Sequence, residues 1–278
     1  MAVYAVEHIR RMPGGSQSHL MRCSDNNFYV VKCQHNPQGS RILANDFFGT
    51  RLAELLGLPV PATSIVELDA WLIEHEQKLS FQLAHGTEKC VPGSQFGSRY
   101  IGDPRHDYVL EHLPTRLLRH VRNLHAFAGV LAFDRWTANS DGRQVAFLRK
   151  GTALAFTAYF IDQGYCFNRD KWSLENENFL GLYGLNEAYA NVEGWESFEP
   201  WLFRIENFPI TQIWKLATEI PPEWYDRQSG ELEKLVEALY ARRSIVRDLI
   251  TALRLPARRL LPMWTGNSTC AFSAKSGA

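Results

Sequence analysis

Apolar and polar positions alternate through the first stretches of the chain, with the two-residue period of half-buried strands. YAVEHIR reads as a strand, RMPGGSQS as a loop and HLMRC as a returning strand. SDNN follows as a turn, and FYVVKC as a strand rich in β-branched and aromatic residues. The period then lengthens. In LANDFFGTRLAELLGL, Leu43, Phe47, Leu52, Leu55 and Leu56 recur at helical spacing, and GLPVP stops the helix. TSIVELD and AWLIE read as further strands, and residues 84–107, rich in Gly, Pro and His, as an irregular connection. Beyond residue 108 helical spacing dominates. RLLRHVRNLHAFAGVLAFDRW carries apolar residues three and four apart over several turns and runs into the polar, loop-like FDRWTANSDGR. QVAFLR and ALAFTAYFID read as a hairpin, and GELEKLVEALYARRSIVRDLITALRL as one long amphipathic helix behind the turn IPPEWY. No repeat or low-complexity segment interrupts this order. The pattern predicts an α+β fold with two lobes, a strand-rich one over residues 1–107 and a mainly helical one over 108–278, with a cleft between them.

Composition narrows the class. The 278 residues are 45% hydrophobic and 22% charged, an ordinary globular balance. Thirty basic and 30 acidic residues cancel, which argues against a broad nucleic-acid or anionic-membrane surface but not against a local basic groove for a phosphorylated ligand. The five cysteines, Cys23, Cys33, Cys90, Cys166 and Cys270, form no C-x-x-C pair. Their number and spacing argue against a zinc site or a disulfide framework and for a reducing compartment. The nine histidines show no metal-binding spacing. MAVYAVEHIRRMPGG lacks the apolar core of a signal peptide, and no apolar run is long enough to span a bilayer. A soluble, cytoplasmic protein is expected, with a disordered tail, GNSTCAFSAKSGA.

The polar residues suit phosphoryl transfer. That chemistry needs a carboxylate to orient the attacking hydroxyl, oxygen ligands for Mg²⁺ and a cation on the nucleotide phosphates. In FDRWTANSDG, Asp134 precedes Asn139 by five residues, and Asp162 ends the apolar strand of AYFIDQGY. Lys32 closes the apolar FYVVK, and Asp46 on the following helix is placed to hold it as an ion pair. Gly14, Gly15, Ser16 and Ser18, in the loop between two strands, offer backbone N–H groups to phosphate oxygens. Each feature alone has a plainer reading: NSDG is a good turn, Asp162 a strand-end cap, Lys32–Asp46 a surface pair and PGGSQS a hairpin loop. Their order gives the phosphoryl-transfer reading its weight.

DRWTAN resembles the Asp-Arg-x-x-x-Asn catalytic loop of HipA-like and, more distantly, phosphatidylinositol kinases, and FIDQG their metal-binding Ile-Asp-x-Gly. ANDFFGTRLAELLGLPVP is similar to the HipA-type helix that begins Asn-Glu and ends Leu-Gly-Leu-Pro-Val-Pro. The resemblance runs in order over residues 14–250. It implies an ATP-dependent Ser/Thr protein kinase, with Asp134 as base, Asn139 and Asp162 as Mg²⁺ ligands and Lys32 as the phosphate-binding lysine. It also implies autophosphorylation on the glycine-rich loop at Ser16 or Ser18, and raises an antitoxin or other regulatory protein as partner. Asp46 stands one methylene shorter than the family's Glu, the extra N-terminal subdomain of HipA toxins is missing, and the glycine-loop wording differs.

Rival readings keep the fold but change the acceptor to a lipid or small molecule, or keep the nucleotide and drop turnover. A metal-dependent hydrolase is disfavoured, since no histidine-containing ligand cluster is legible. His112, His120 and His125 read as helix surface or core, Trp195, Trp201, Trp214 and Trp224 as packing, and Arg242, Arg243, Arg258 and Arg259 as solvated faces.

Overall fold

The computed structural model describes residues 3–174, 181–254, 261, 263 and 264. The tail expected to be disordered, together with Cys270, Arg258 and Arg259, lies outside the described residues. Five strands close a barrel in the order β1 (Val3–Arg11), β2 (His19–Cys23), β3 (Phe28–Lys32), β7 (Gly93–Arg99) and β4 (Thr63–Leu68), β4 returning parallel to β1. Helix α1 (Ile42–Leu55) crosses between β3 and β4. Helix α2 (Ala70–His75) and the hairpin of β5 (Ser80–Leu83) and β6 (Gly86–Lys89) fill the stretch before β7.

Two expectations change here. AWLIE is helix α2 rather than a strand, because the Asp69 side chain accepts from Trp71 N and caps a helical turn. Residues 84–107 are no irregular bridge: β7 pairs with both β3 and β4 and completes the barrel.

A second, three-stranded sheet runs β10 (Thr157–Ile161), β9 (Gln144–Arg149), β8 (Tyr108–Leu110). The helices that follow are α3 (Thr115–Leu118), α4 (Ala126–Trp136), α5 (Trp201–Glu206), α6 (Ile210–Ala217), α7 (Ser229–Arg242) and α8 (Val246–Thr251), with α5 and α8 packed on α4, and α6 on α1 and α7. The single helix expected over RLLRHVRNLHAFAGVLAFDRW is split into α3 and α4, and Val121 between them bridges to Phe156. The long C-terminal helix is also broken, at Arg243–Ile245, where Arg243 Nη1 binds the carbonyls of Glu206 and Phe208.

One apolar cluster joins α1 and Phe96 of β7 to α4 to α8, so the helices share a core with one face of the barrel. A second cluster, including Met21, Tyr29, Val31, Leu68 and Phe81, fills the barrel itself. Trp224 is fully buried, and its indole N–H donates to Ser94 O on β7 at 2.8 Å. Trp201 is buried against Gly129 of α4 so closely that a Cβ there would lie 2.2 Å from the ring. Trp195 and Trp214 are half-buried at the edge of the same core.

Candidate functional site

Alternation along β3 sets the first half of the site. Tyr29 and Val31 point into the barrel core, so Val30 and Lys32 point the other way, into a cleft of about 220 Å³. Lys32 is no surface cation: it is 6% exposed, and its ammonium donates to Asp46 Oδ2 at 2.7 Å and to Asp162 Oδ1 at 2.8 Å. The shorter Asp46 side chain also reaches the backbone, accepting from Gln163 N at 2.7 Å through Oδ1.

Helix α1 is held on the C-terminal half of the chain by Asn45, which donates to the carbonyls of Gly164 and Arg169 and accepts from the Trp172 indole. Asn45 opens the Asn-Asp pair of ANDFFG, and its partners lie more than 100 residues along the chain, where local spacing does not reveal them. Asp162 follows β10 with φ +59°, a left-handed conformation that turns its carboxylate back onto Lys32.

Burial works against every charge in this triad. For Lys32 the carboxylates of Asp162 and Asp46 outweigh it and hold the ammonium above its ordinary value. Burial pushes Asp46 up to about 6 against the pull of Lys32. For Asp162 burial is overcome by Lys32, and then by Arg143, and the carboxyl is held below its usual range.

Asp134 sits in the last turn of α4, not in a free loop. It is wholly buried and bound by Arg143: Nε donates to Oδ2 at 3.0 Å and Nη2 to Oδ1. Asn139 Nδ2 donates to the same Oδ1 at 3.0 Å, while Asn139 Oδ1 accepts from Asp141 N at 3.1 Å. Gly181 closes over this group with φ +39°, and a Cβ there would lie 2.7 Å from Asp134 Cβ. Arg143 Nη1 continues to Ile161 O and Gln163 Oε1, linking Asp134 to the strand end that carries Asp162. Arg143 closes the polar stretch FDRWTANSDGR. Its role depends on β9 starting beside β10, which local spacing does not reveal.

Gly14, Gly15, Ser16 and Ser18 line the same cleft as Lys32, Asp46 and Asp162. Asp134 and Asn139 are not among its lining residues. A second recess of about 920 Å³ shares Glu111, Gln144 and Ile161 with the cleft and is lined by Arg143, Asp141 and Tyr183. Away from the site, His125 stacks on Trp201. Arg242, expected on a solvated face, is buried, donating to Arg135 O and Leu174 O.

The sequence model of the HipA-like kinases matches residues 5–175. In fold the chain is similar to the Helicobacter pylori proinflammatory kinase CtkA, at TM-score 0.50 and 11% identity, over 85% of this chain and 96% of that one. It is similar to the Golgi casein kinase solved with Mn/ADP bound, at TM-score 0.51 and 12% identity, over 90% of this chain and 72% of that one. The HipA of Shewanella oneidensis MR-1, solved with HipB and operator DNA, gives TM-score 0.50 and 12% identity, over 90% of this chain and 68% of that one. No curated protein matches the sequence. The family match takes in β1 through the segment after β10, and with it Lys32, Asp46, Asp134, Asn139 and Asp162: the chain belongs to the HipA-like kinase family.

Proposed function

We propose that this protein is a bilobal kinase that binds ATP with Mg²⁺ and transfers the γ-phosphate to a Ser or Thr hydroxyl of a protein. The observation that carries the reading is Lys32, held by Asp46 and Asp162 in a cleft walled by the glycine-rich loop. In this reading Lys32 meets the nucleotide phosphates, and Asp46 keeps its ammonium charged and aimed. Backbone N–H groups of Gly14, Gly15, Ser16 and Ser18 face the phosphate oxygens.

The donor set fits a hard cation. Asp162 and Asn139 present carboxylate and amide oxygens, and Asn139 Oδ1 keeps a lone pair beside its bond from Asp141 N. Asp162 and Asn139 would hold Mg²⁺, which when bound neutralises charge on the transferring phosphoryl group. The second recess adjoins the cleft and would admit the acceptor. Asp134 would receive the hydroxyl proton once Arg143 releases one of its oxygens and Gly181 moves aside. The setting is cytoplasmic in this proposal, and a regulatory protein of the antitoxin kind is the proposed partner.

The burial of Asp134 favours a second reading, a nucleotide-binding scaffold without turnover. Incubation with γ-labelled ATP, Mg²⁺ and lysate separates the two. Phosphoserine or phosphothreonine on protein, absent with Lys32→Ala, supports the kinase. ATP–Mg²⁺ binding with no label anywhere supports the scaffold, and neither binding nor label sinks both.

A further inference from the structure

Cys33 follows Lys32 directly, and strand alternation sends it to the opposite face, into the barrel core with Tyr29 and Val31. Two other groups meet it there. His19 is the first residue of β2, immediately after the glycine-rich loop, and Cys90 lies just beyond β6. One imidazole nitrogen and the two thiol sulfurs all lie within 4.8 Å of one another. His19 Nε2 is 3.8 Å from Cys90 Sγ. All three residues are buried, so no solvent-exposed cluster is involved.

We propose that His19, Cys33 and Cys90 form a binding site for a thiophilic d¹⁰ cation, zinc(II) or copper(I), inside the barrel. Cysteine and histidine spacing along the chain argued against zinc. The barrel overturns that argument, because it joins ligands 14 and 57 residues apart (33 − 19 and 90 − 33) through strand register rather than through a local motif.

Three features of the site suit a metal. The donors are two thiols, ionised on binding, and an imidazole, the combination such cations prefer over hard oxygens. A tetrahedral centre with metal–sulfur bonds of about 2.3 Å and metal–nitrogen bonds of about 2.0 Å sets neighbouring ligand atoms roughly 3.5–3.8 Å apart, which His19 Nε2 and Cys90 Sγ meet at 3.8 Å, all three ligand atoms lying within 4.8 Å. The nitrogen of His19 that faces away from the thiols is already held. His19 Nδ1 lies 3.1 Å from His8 Nε2, and His8 Nδ1 lies 3.8 Å from Glu76 Oε2. A metal-binding imidazole commonly has its second nitrogen fixed by a hydrogen bond such as this one to His8, which sets the tautomer and the ring plane.

The two thiols are also unequal. Hydrogen bonds from Cys33 and His19 hold the Cys90 thiol down against its burial, while the bond to Cys90 and burial hold Cys33 up. Binding forms two metal–sulfur bonds and one metal–nitrogen bond and releases both thiol protons to solvent, with no change of oxidation state. The bound cation would tie the end of the glycine-rich loop, through His19, to the end of the strand that carries Lys32, through Cys33.

The full chain, stripped with chelator under reducing conditions and without nucleotide, is titrated with zinc(II) and, separately, with copper(I) against a competing chromophoric chelator. One equivalent bound in at least one arm is expected, and the tighter arm identifies the cation. Cobalt(II) added to the wild-type protein is expected to give thiolate-to-cobalt charge-transfer absorption, a readout that needs no variant. Cys33→Ser and Cys90→Ser should abolish stoichiometric binding. His8→Ala should weaken it about 10–100-fold. Cys23→Ser, outside the cluster, should keep it. Folded wild-type protein that binds no equivalent in either arm and gives no cobalt–thiolate band would overturn the proposal. So would a Cys33–Cys90 disulfide found by alkylation and mass spectrometry in place of metal, or equal loss in Cys23→Ser.

Discussion

Lys32 is shared by two buried carboxylates that answer pH in opposite directions. Asp46 rises from 3.8 to about 6 on folding, so between those values the folded chain holds more proton than the unfolded one. Stability linked to Asp46 is therefore present at low pH and lost as pH climbs through about 6. Asp162 is lowered, so its contribution is present above the ordinary carboxylate range and disappears as pH falls. Urea unfolding across this range should show the Asp46 slope in the wild type and not in Asp46→Asn, with the acid loss from Asp162 kept in both; an unchanged slope would refute the assignment. Asp134 and Arg143 form the other buried pair. Removing one partner strands the other's charge, so Arg143→Met should cost about 3–5 kcal/mol in denaturant-midpoint measurements. Asp134→Ala should lower phosphoryl transfer by ~10²–10⁴ while leaving ATP affinity intact. Wild-type transfer by that variant would remove Asp134 from the chemistry.

Among the elements, the glycine-rich loop and helix α4 carry the next expectations. Ser16 and Ser18 are buried in the wall of the cleft, close to where the proposed triphosphate would lie. Phosphate on either adds about −1.5 to −2 charge there and would repel nucleotide. Intact-mass measurement after ATP–Mg²⁺ should show one added phosphate mapping to this loop and missing from Asp134→Ala; a phosphate mapped elsewhere rules the loop out. In α4, Gly129→Ala drives a methyl into the Trp201 ring, which cannot yield without moving α5. Overpacking of this kind typically costs ~1–3 kcal/mol, read as a lower melting temperature. Strands with strong alternation, such as FYVVK, and the helix LANDFFGTRLAEL were legible from pattern and placed Lys32 and Asp46, while Asp134, Asn139 and Asp162 stood out in FDRWTANSDG and AYFIDQGY. GSQFGSR was not legible as β7. Its glycines and serines carry no strand propensity, and it is a strand because β3 and β4 offer it an edge on each side. Arg143, Asn45 and Gly181 escaped for the same reason: each takes its role from a partner far along the chain, at Asp134 and Ile161, at Gly164 and Trp172, and at Asp134 respectively.

For the whole molecule, a ligand that binds only the folded state raises its stability. ATP–Mg²⁺ at 100 times its dissociation constant should add ~2.7 kcal/mol, seen as a higher melting temperature in the wild type and lost in Lys32→Ala. A melting curve that ATP–Mg²⁺ leaves unmoved would count against the nucleotide site. The barrel also has a consequence for how the chain is made. β3 pairs with β7 through Tyr29 and Arg99, 70 residues apart (99 − 29). At ~5–20 residues per second, a ribosome takes roughly 4–14 s to deliver the second strand after the first. Throughout that interval FYVVK lacks the strand that covers one of its edges in the folded barrel, and Asp162, one of the two carboxylates that hold Lys32, has not been made. A sheet formed by the newborn chain in those seconds would have an open border, exposed to pairing with other strands, and the β3 border is covered only when GSQFGSR emerges.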